Sequence, residues 1–119
     1  VVVIVVVAVF FAGMGIYGLA APAALVRPFA LQADTGHART EVRAVYGGFG
    51  LAIAAVLLVA ATTPDLRRGV VLAVAIALLG MAAGRLIGRI ADRPTAFYPI
   101  WFYFWVEVAL AAALLLTIR

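Results

Sequence analysis

The sequence predicts an all-α fold, a single polytopic bundle of four transmembrane helices, and three observations carry that reading. Hydrophobic residues fill 68% of the 119 positions, charged residues only 12%, and mean hydropathy reaches +1.23, far from the balance of a soluble domain. Four apolar runs of about 20 residues, each sufficient for ~30 Å of hydrocarbon, use most of the chain. The breaks between the runs carry proline together with polar or arginine residues. Residues 1–119 therefore read as one membrane unit with no room for a separate soluble domain.

The first span is expected over about 1–21, ending where Pro22 withdraws a backbone donor. Its valine-rich start is no objection, because in lipid the backbone must close its hydrogen bonds within the segment, which makes a crossing run helical. Val1 opens inside this run without a Met or a charged flank, so residues upstream are expected. Small residues at Ala20, Ala21 and Ala23 superficially suggest a signal peptide; the length and the three similar runs that follow favour a retained span. Residues 22–41 form the longest loop. Pro22 to Leu31 is apolar enough to lie along the interface, and Gln32 to Thr40 is expected in water.

The second span is expected over about 42–61, capped by Thr40 or a residue a turn or so earlier. Pro64 and Asp65 then turn the chain, and Arg67 and Arg68 anchor a third span over about 69–90. Its uncharged stretch, Gly69 to Gly84, measures only about 24 Å as helix, so Arg85 falls within the membrane edge. Arg89 and Arg93 can snorkel to the headgroups. Pro94 ends the helix, and the fourth span runs over about 97–118 behind an aromatic run, Phe97 to Trp105, in which Tyr98 and Trp101 read as an interfacial belt.

An even number of spans places both chain ends and the Pro64 turn on one side, and the long linker and the Asp92 turn on the other, here termed the linker face. Arg27, Arg39, Arg89 and Arg93 fall on the linker face against Arg67, Arg68 and Arg119 opposite, so the positive-inside rule does not orient the protein. All nine basic residues are arginine. They sit at or near the ends of apolar runs, not on an open basic face, which argues against a nucleic-acid partner. Without cysteine there is no disulfide, thiolate metal site or dithiol redox chemistry. His37, the single histidine, lies in the polar linker, so no metal or haem site is assigned.

Glu107 is the most informative residue. It stands alone among charges between Arg93 and Arg119, where a mid-bilayer carboxylate costs roughly 3 kcal/mol and calls for a partner. Counted along ideal helices, Glu107 lies about 12 Å and Arg85 about 7 Å beneath the linker face, with Arg43 shallower. Extended stems would let both arginines reach one carboxylate, leaving a surplus positive charge suited to an anion, a lipid headgroup or a polarised carbonyl such as a quinone's. The plainer alternative is that Arg43 and Arg85 snorkel while Glu107 bonds a neighbouring helix. For Arg43 the plainer reading is preferred, and for Arg85 with Glu107 the pairing. Tyr103 lies one turn from Glu107, and Tyr17 reaches a similar depth.

Arg43, Tyr46, Gly47, Gly50 and Ala54 recur on one face of the second span, a guanidinium and a phenol above a strip of small residues. Gly80, Gly84 and Gly88 repeat every fourth residue on the third span, a ridge read as helix packing. The candidate polar cluster is thus Arg43, Tyr46, Arg85, Tyr103 and Glu107, with Gly47, Gly50, Gly80, Gly84 and Gly88 as packing positions. No residue is assigned to catalysis, and no cofactor motif is present.

Through Glu41-Val-Arg-Ala-Val-Tyr-Gly-Gly, Gly84-Arg-Leu-Ile-Gly with the Asp92-Arg-Pro turn, and Glu107, the whole chain resembles a family of small four-span bacterial membrane proteins, a domain of unknown function broadly similar to the DoxX-like group. The resemblance implies a four-helix bundle in which Arg43, Tyr46, Gly47, Gly48, Arg85 and Glu107 match the family pattern. It also implies a bacterial inner membrane, and it supplies no activity. Three functions are weighed. The preferred one is a non-catalytic accessory subunit of a larger membrane complex or a lipid- or quinone-binding bundle, with membrane lipids, other subunits or a second copy as partners. A proton-coupled transporter using Glu107 ranks below it. An enzyme acting on lipid substrates ranks last, since a lone carboxylate with two arginines offers no nucleophile or metal set.

Overall fold

The structure, a computed structural model, describes residues 1–119. Four helices are long and apolar enough to cross a membrane: Val2–Ala20, Gly36–Thr62, Pro64–Ala91 and Phe97–Leu116. They are called the first to fourth spans below. The first packs on the second, the second on the third and the third on the fourth, while the first and fourth touch only sparsely.

Each span buries one stripe and offers the rest to lipid. On the first span Ile4, Val7, Ala8, Phe11, Gly15 and Gly18 are buried, the three-and-four spacing of a single helix face, while Val2, Val6 and Val9 point outward. The third span repeats the pattern with Val71, Val74, Ala75, Leu78 and Ala82. The fourth does so with Glu107, Ala111 and Leu114. Ile4, Val7, Leu57, Val71, Leu78 and Leu114 are among the members of one contiguous apolar core. Leu78 sits at mid-span, and the others lie in the half of the bundle remote from the linker face.

Glycine joins the first two spans backbone to backbone. A Cβ on Gly15 would stand 2.8 Å from both Gly47 O and Leu51 N, one on Gly18 2.9 Å from Gly47 N, and one on Gly50 3.0 Å from Phe11 O. Gly47 and Gly50 thus meet the first span, and their counterparts Gly15 and Gly18 are the partners the sequence did not single out. The ridge of Gly80, Gly84 and Gly88 is different: all three are exposed, with open space where a Cβ would be. Gly80 and Gly84 follow the buried Leu78 and Ala82 by two residues, about 200° around a helix of 3.6 residues per turn, so they face away from the bundle.

The helix ends depart from the expected boundaries for identifiable reasons. The second span starts at Gly36 because Thr35 is its cap, its hydroxyl accepting from Ala38 N at 3.0 Å. The third starts at Pro64, the favoured first-turn position for proline, with Thr63 the only residue between the two helices. Arg67 and Arg68 are more than interfacial anchors. Arg67 donates to Ala60 O at 3.1 Å and Ala61 O at 2.8 Å, and Arg68 donates to Ile118 O. Both satisfy carbonyls that helix C-termini leave unpaired.

The linker does not lie flat along the interface. A short helix, Pro22–Val26, and a tight turn, Arg27–Phe29, end at Ala30 in the left-handed region with φ 59°. Val26 and Ala33 are buried, so the segment folds back over the linker end of the bundle. Its second half, expected in water, begins the second span and is tied by Arg39, which donates to Ala33 O at 3.3 Å.

The two sets of glycines give opposite expectations. Gly15→Ala should lower thermal stability in detergent by about 1–3 kcal/mol, since the added methyl meets backbone that cannot move aside. Gly80→Ala should be neutral or stabilising by up to about 1 kcal/mol through helix propensity. Melting both variants side by side by circular dichroism checks the assignment, and equal losses would refute it.

Candidate functional site

The linker half of the bundle holds the one buried charged residue, Glu107. Arg85, one turn past the buried Leu78–Ala82 stripe, projects toward the fourth span, where Glu107 occupies a position of the buried face. The pair is bidentate: Arg85 Nε donates to Glu107 Oε1 at 2.9 Å and Nη2 to Oε2 at 3.0 Å. The Glu107 side chain is 3% exposed and that of Arg85 19%. It is the single ion pair of the chain. In so dry a place the attraction between planar guanidinium and carboxylate is strong only because both oxygens are met, the geometry that offsets the desolvation of two charges.

Aromatic rings complete the setting. The Arg85 guanidinium carbon lies 5.8 Å from the ring centre of Phe29 and 5.8 Å from that of Tyr103, within the range of cation–π attraction. The two rings are themselves 5.6 Å apart. Phe29 arrives from the linker, carried there by the turn that ends at Ala30. Sequence reading missed it. The one available signal was an apolar Pro28-Phe29 pair within a loop whose backbone would otherwise be expected in water.

The ion pair forms part of the wall of a cavity of about 240 Å³. Every span contributes: Phe10, Phe11, Gly13, Met14 and Tyr17 from the first, Tyr46 from the second, Leu78, Met81 and Arg85 from the third, and Tyr103 and Glu107 from the fourth. Leu25, Val26 and Phe29 of the linker close one side. A second hollow of about 480 Å³, largely apolar, shares Phe11, Met14, Tyr46 and Met81 with it and continues past Val45 and Phe49, whose side chains face outward.

Arg43 is not part of this cluster. Its Nε donates to Leu19 O at 3.1 Å, and the expected arrangement of two arginines on one carboxylate does not form. The cause is register. Close contact of Gly47 with Gly18 and Leu19 places Arg43, one turn earlier, beside the C-terminus of the first span, where the last carbonyls lack helical partners. Of the five residues of the candidate cluster, Tyr46, Arg85, Tyr103 and Glu107 line the cavity and Arg43 does not.

A family model described as a domain of unknown function, DUF4345, matches residues 1–118. The chain belongs to that family. No curated protein and no solved structure matches it. The DUF4345 fold in this chain is therefore a four-helix membrane bundle with one intramembrane ion pair set into an aromatic cavity.

Chemically the arrangement can orient a polar group without attacking it. Both Glu107 oxygens accept from Arg85, while Arg85 Nη1 carries no bond to the protein and the Tyr17 and Tyr46 hydroxyls have no partner within the chain. The cavity thus presents hydrogen-bond donors at one end and hydrocarbon elsewhere.

Unpairing Glu107 should be far more damaging than releasing Arg43. Arg85→Ala is expected to destabilise the bundle by about 3–5 kcal/mol by leaving a buried charge alone, and Arg43→Ala by about 1 kcal/mol for one exposed hydrogen bond. The double variant Arg85→Met with Glu107→Leu should regain most of the loss. Thermal melts of the four proteins in one detergent decide it, and equal melting of Arg85→Ala and Arg43→Ala would count against the pairing.

Proposed function

We propose that this protein is a non-catalytic holder of a lipid-soluble ligand of the quinone class, a flat ring bearing a carbonyl and an apolar tail. The observation that carries the proposal is that its one intramembrane ion pair forms part of the wall of an aromatic cavity to which all four spans contribute. Intramembrane ionisable groups that face a cavity, not lipid, are functional candidates by default, and small-molecule sites combine mostly apolar walls with a few convergent polar groups.

The size fits a ring. A cavity of about 240 Å³ exceeds the roughly 150 Å³ that accommodates benzene in an engineered core, so one substituted ring fills it and a tail must leave. The adjoining apolar hollow offers the way out, toward lipid beside Val45 and Phe49. The Tyr17 and Tyr46 hydroxyls would donate to the carbonyl beside the Arg85–Glu107 pair, and the rings of Phe10, Phe11 and Tyr103 would flank the ligand. Binding is favoured over chemistry because both carboxylate oxygens already accept from Arg85. In this reading the protein works in a bacterial inner membrane and delivers or stores its ligand alone or for a larger complex.

The test is isolation of the tagged protein in mild detergent, followed by mass spectrometry of bound lipids and partners and by equilibrium dialysis against a short-chain benzoquinone. The native protein should retain a quinone-class molecule. Met14→Trp, which fills the cavity without touching the ion pair, should weaken benzoquinone binding at least tenfold while melting normally. No retained ligand together with no saturable benzoquinone binding would remove the proposal. Fixed-ratio copurification with a larger assembly but no ligand would shift the reading to an accessory subunit.

A further inference from the structure

On the outside of the bundle, at the linker face, the third and fourth spans leave a groove of about 450 Å³ that backs onto the cavity through Met81 and Arg85 and opens outward between Gly84, Gly88 and Trp101. We infer that this groove binds the phosphodiester of an anionic phospholipid from the adjoining leaflet. Depth, shape and charge each point there.

Depth comes from the third span itself. Arg68 marks the opposite membrane edge, where it holds the fourth span's C-terminal end through Ile118 O. Arg89 follows it by 21 residues, about 31 Å of helix, which is one hydrocarbon thickness. Arg89 therefore lies at the headgroup level of the other leaflet. Arg85 lies about 6 Å beneath it and Arg93 just beyond it.

The shape is open because glycine makes it so. Gly84 and Gly88 line the groove and have nothing within 4 Å of where a side chain would start, so a headgroup can approach the helix backbone. Trp101 from the fourth span lines it as well, an interfacial residue type at an interfacial depth.

Charge identifies the occupant. Arg85, Arg89 and Arg93 all line the groove, with Asp92 the one carboxylate among its lining residues. Arg89 and Arg93 join neither the chain's single ion pair nor any of its side-chain hydrogen bonds, and Arg85 gives Nε and Nη2 to Glu107 while Nη1 remains uncommitted. Three guanidinium groups set against Asp92 and Glu107 leave one unmatched positive charge, since three minus two is one. A phosphodiester brings one negative charge. Arginine forks match its oxygens in geometry as well as sign. A headgroup that adds an ammonium, as in phosphatidylethanolamine or phosphatidylcholine, would restore the surplus, so phosphatidylglycerol is the matching class.

The experiment is native mass spectrometry of the full chain in mild detergent, titrated in parallel with phosphatidylglycerol, phosphatidylethanolamine and phosphatidylcholine of identical acyl chains. The wild-type protein should retain one phosphatidylglycerol in preference to the others. Arg89→Gln and Arg93→Gln should each lower that preference roughly fivefold, the worth of about one arginine at an anionic surface. Both side chains lack internal partners, so the variants should melt like wild type. Met14→Trp, which fills the inner cavity, should leave the preference untouched, and this separates the groove from the quinone-class site. Equal retention of the three lipids, a preference for an ammonium-bearing lipid, or an unchanged preference in the Arg89→Gln, Arg93→Gln double variant would overturn the inference. Copurification of a membrane protein in place of lipid on this face would overturn it too.

Discussion

The bidentate bond between Arg85 and Glu107 is the constraint on which the linker half of this bundle depends. Two charges withdrawn from water in a low-dielectric setting are tolerated only when their geometry is nearly complete, and here both carboxylate oxygens are met. That requirement fixes more than one contact. Helices in lipid gain nothing from hydrophobic exclusion against each other, since lipid tails are as apolar as leucine. The third and fourth spans could otherwise slide or rotate with little change in buried chemistry. A paired arginine and glutamate reject such shifts, because a displacement of one turn would strand both charges.

The two halves of the molecule solve different problems. Away from the linker, Ile4, Leu57, Val71, Leu78 and Leu114 interlock in a dry core, and arginines on the rim close the open carbonyls of neighbouring helices. Toward the linker, glycine draws the first and second spans into backbone contact. At the same end all four spans line a cavity roofed by Phe29 and its neighbours. The glycine junction beside it and the packed core beyond it hold this cavity open, since a cavity persists only where surrounding helices cannot collapse into it.

Much of this could be read from the residues alone, and the failures are physical. The spans were legible because a bilayer leaves a backbone no choice but helix, and Glu107 with Arg85 because an intramembrane carboxylate demands a partner at its own depth. Facing was harder to read. Helices that are apolar nearly all round carry no polar side to mark lipid, so Gly80, Gly84 and Gly88 looked as suited to packing as Gly15 and Gly18, and only the positions of Leu78 and Ala82 decide between them. Arg43 misled for a related reason: its reach was compatible with Glu107, but rotation and level are set by glycine contacts with another helix. Phe29 was invisible because its role depends on a chain reversal at Ala30, an alanine in a conformation that its side chain disfavours.

The irregular backbone is concentrated where the cavity is. Two stretches depart from α-helix: Arg43–Gly48 in the second span widens into a π-helical turn, and Phe97–Trp101 at the start of the fourth is kinked by extended backbone at Tyr98, and both lie at the linker end. The core half contains none. In a membrane, non-ideal backbone survives where protein or a cavity shields it from lipid, and π turns are frequent at functional sites because they rotate side chains out of ideal register. In the second span the wide turn spans Tyr46 and Gly47, letting adjacent residues serve opposite demands: the phenol lines the cavity while the glycine meets the first span. A sequence that obeys simple packing rules along most of its length and breaks them around one polar hollow points to that hollow as the part of the molecule shaped by something other than stability.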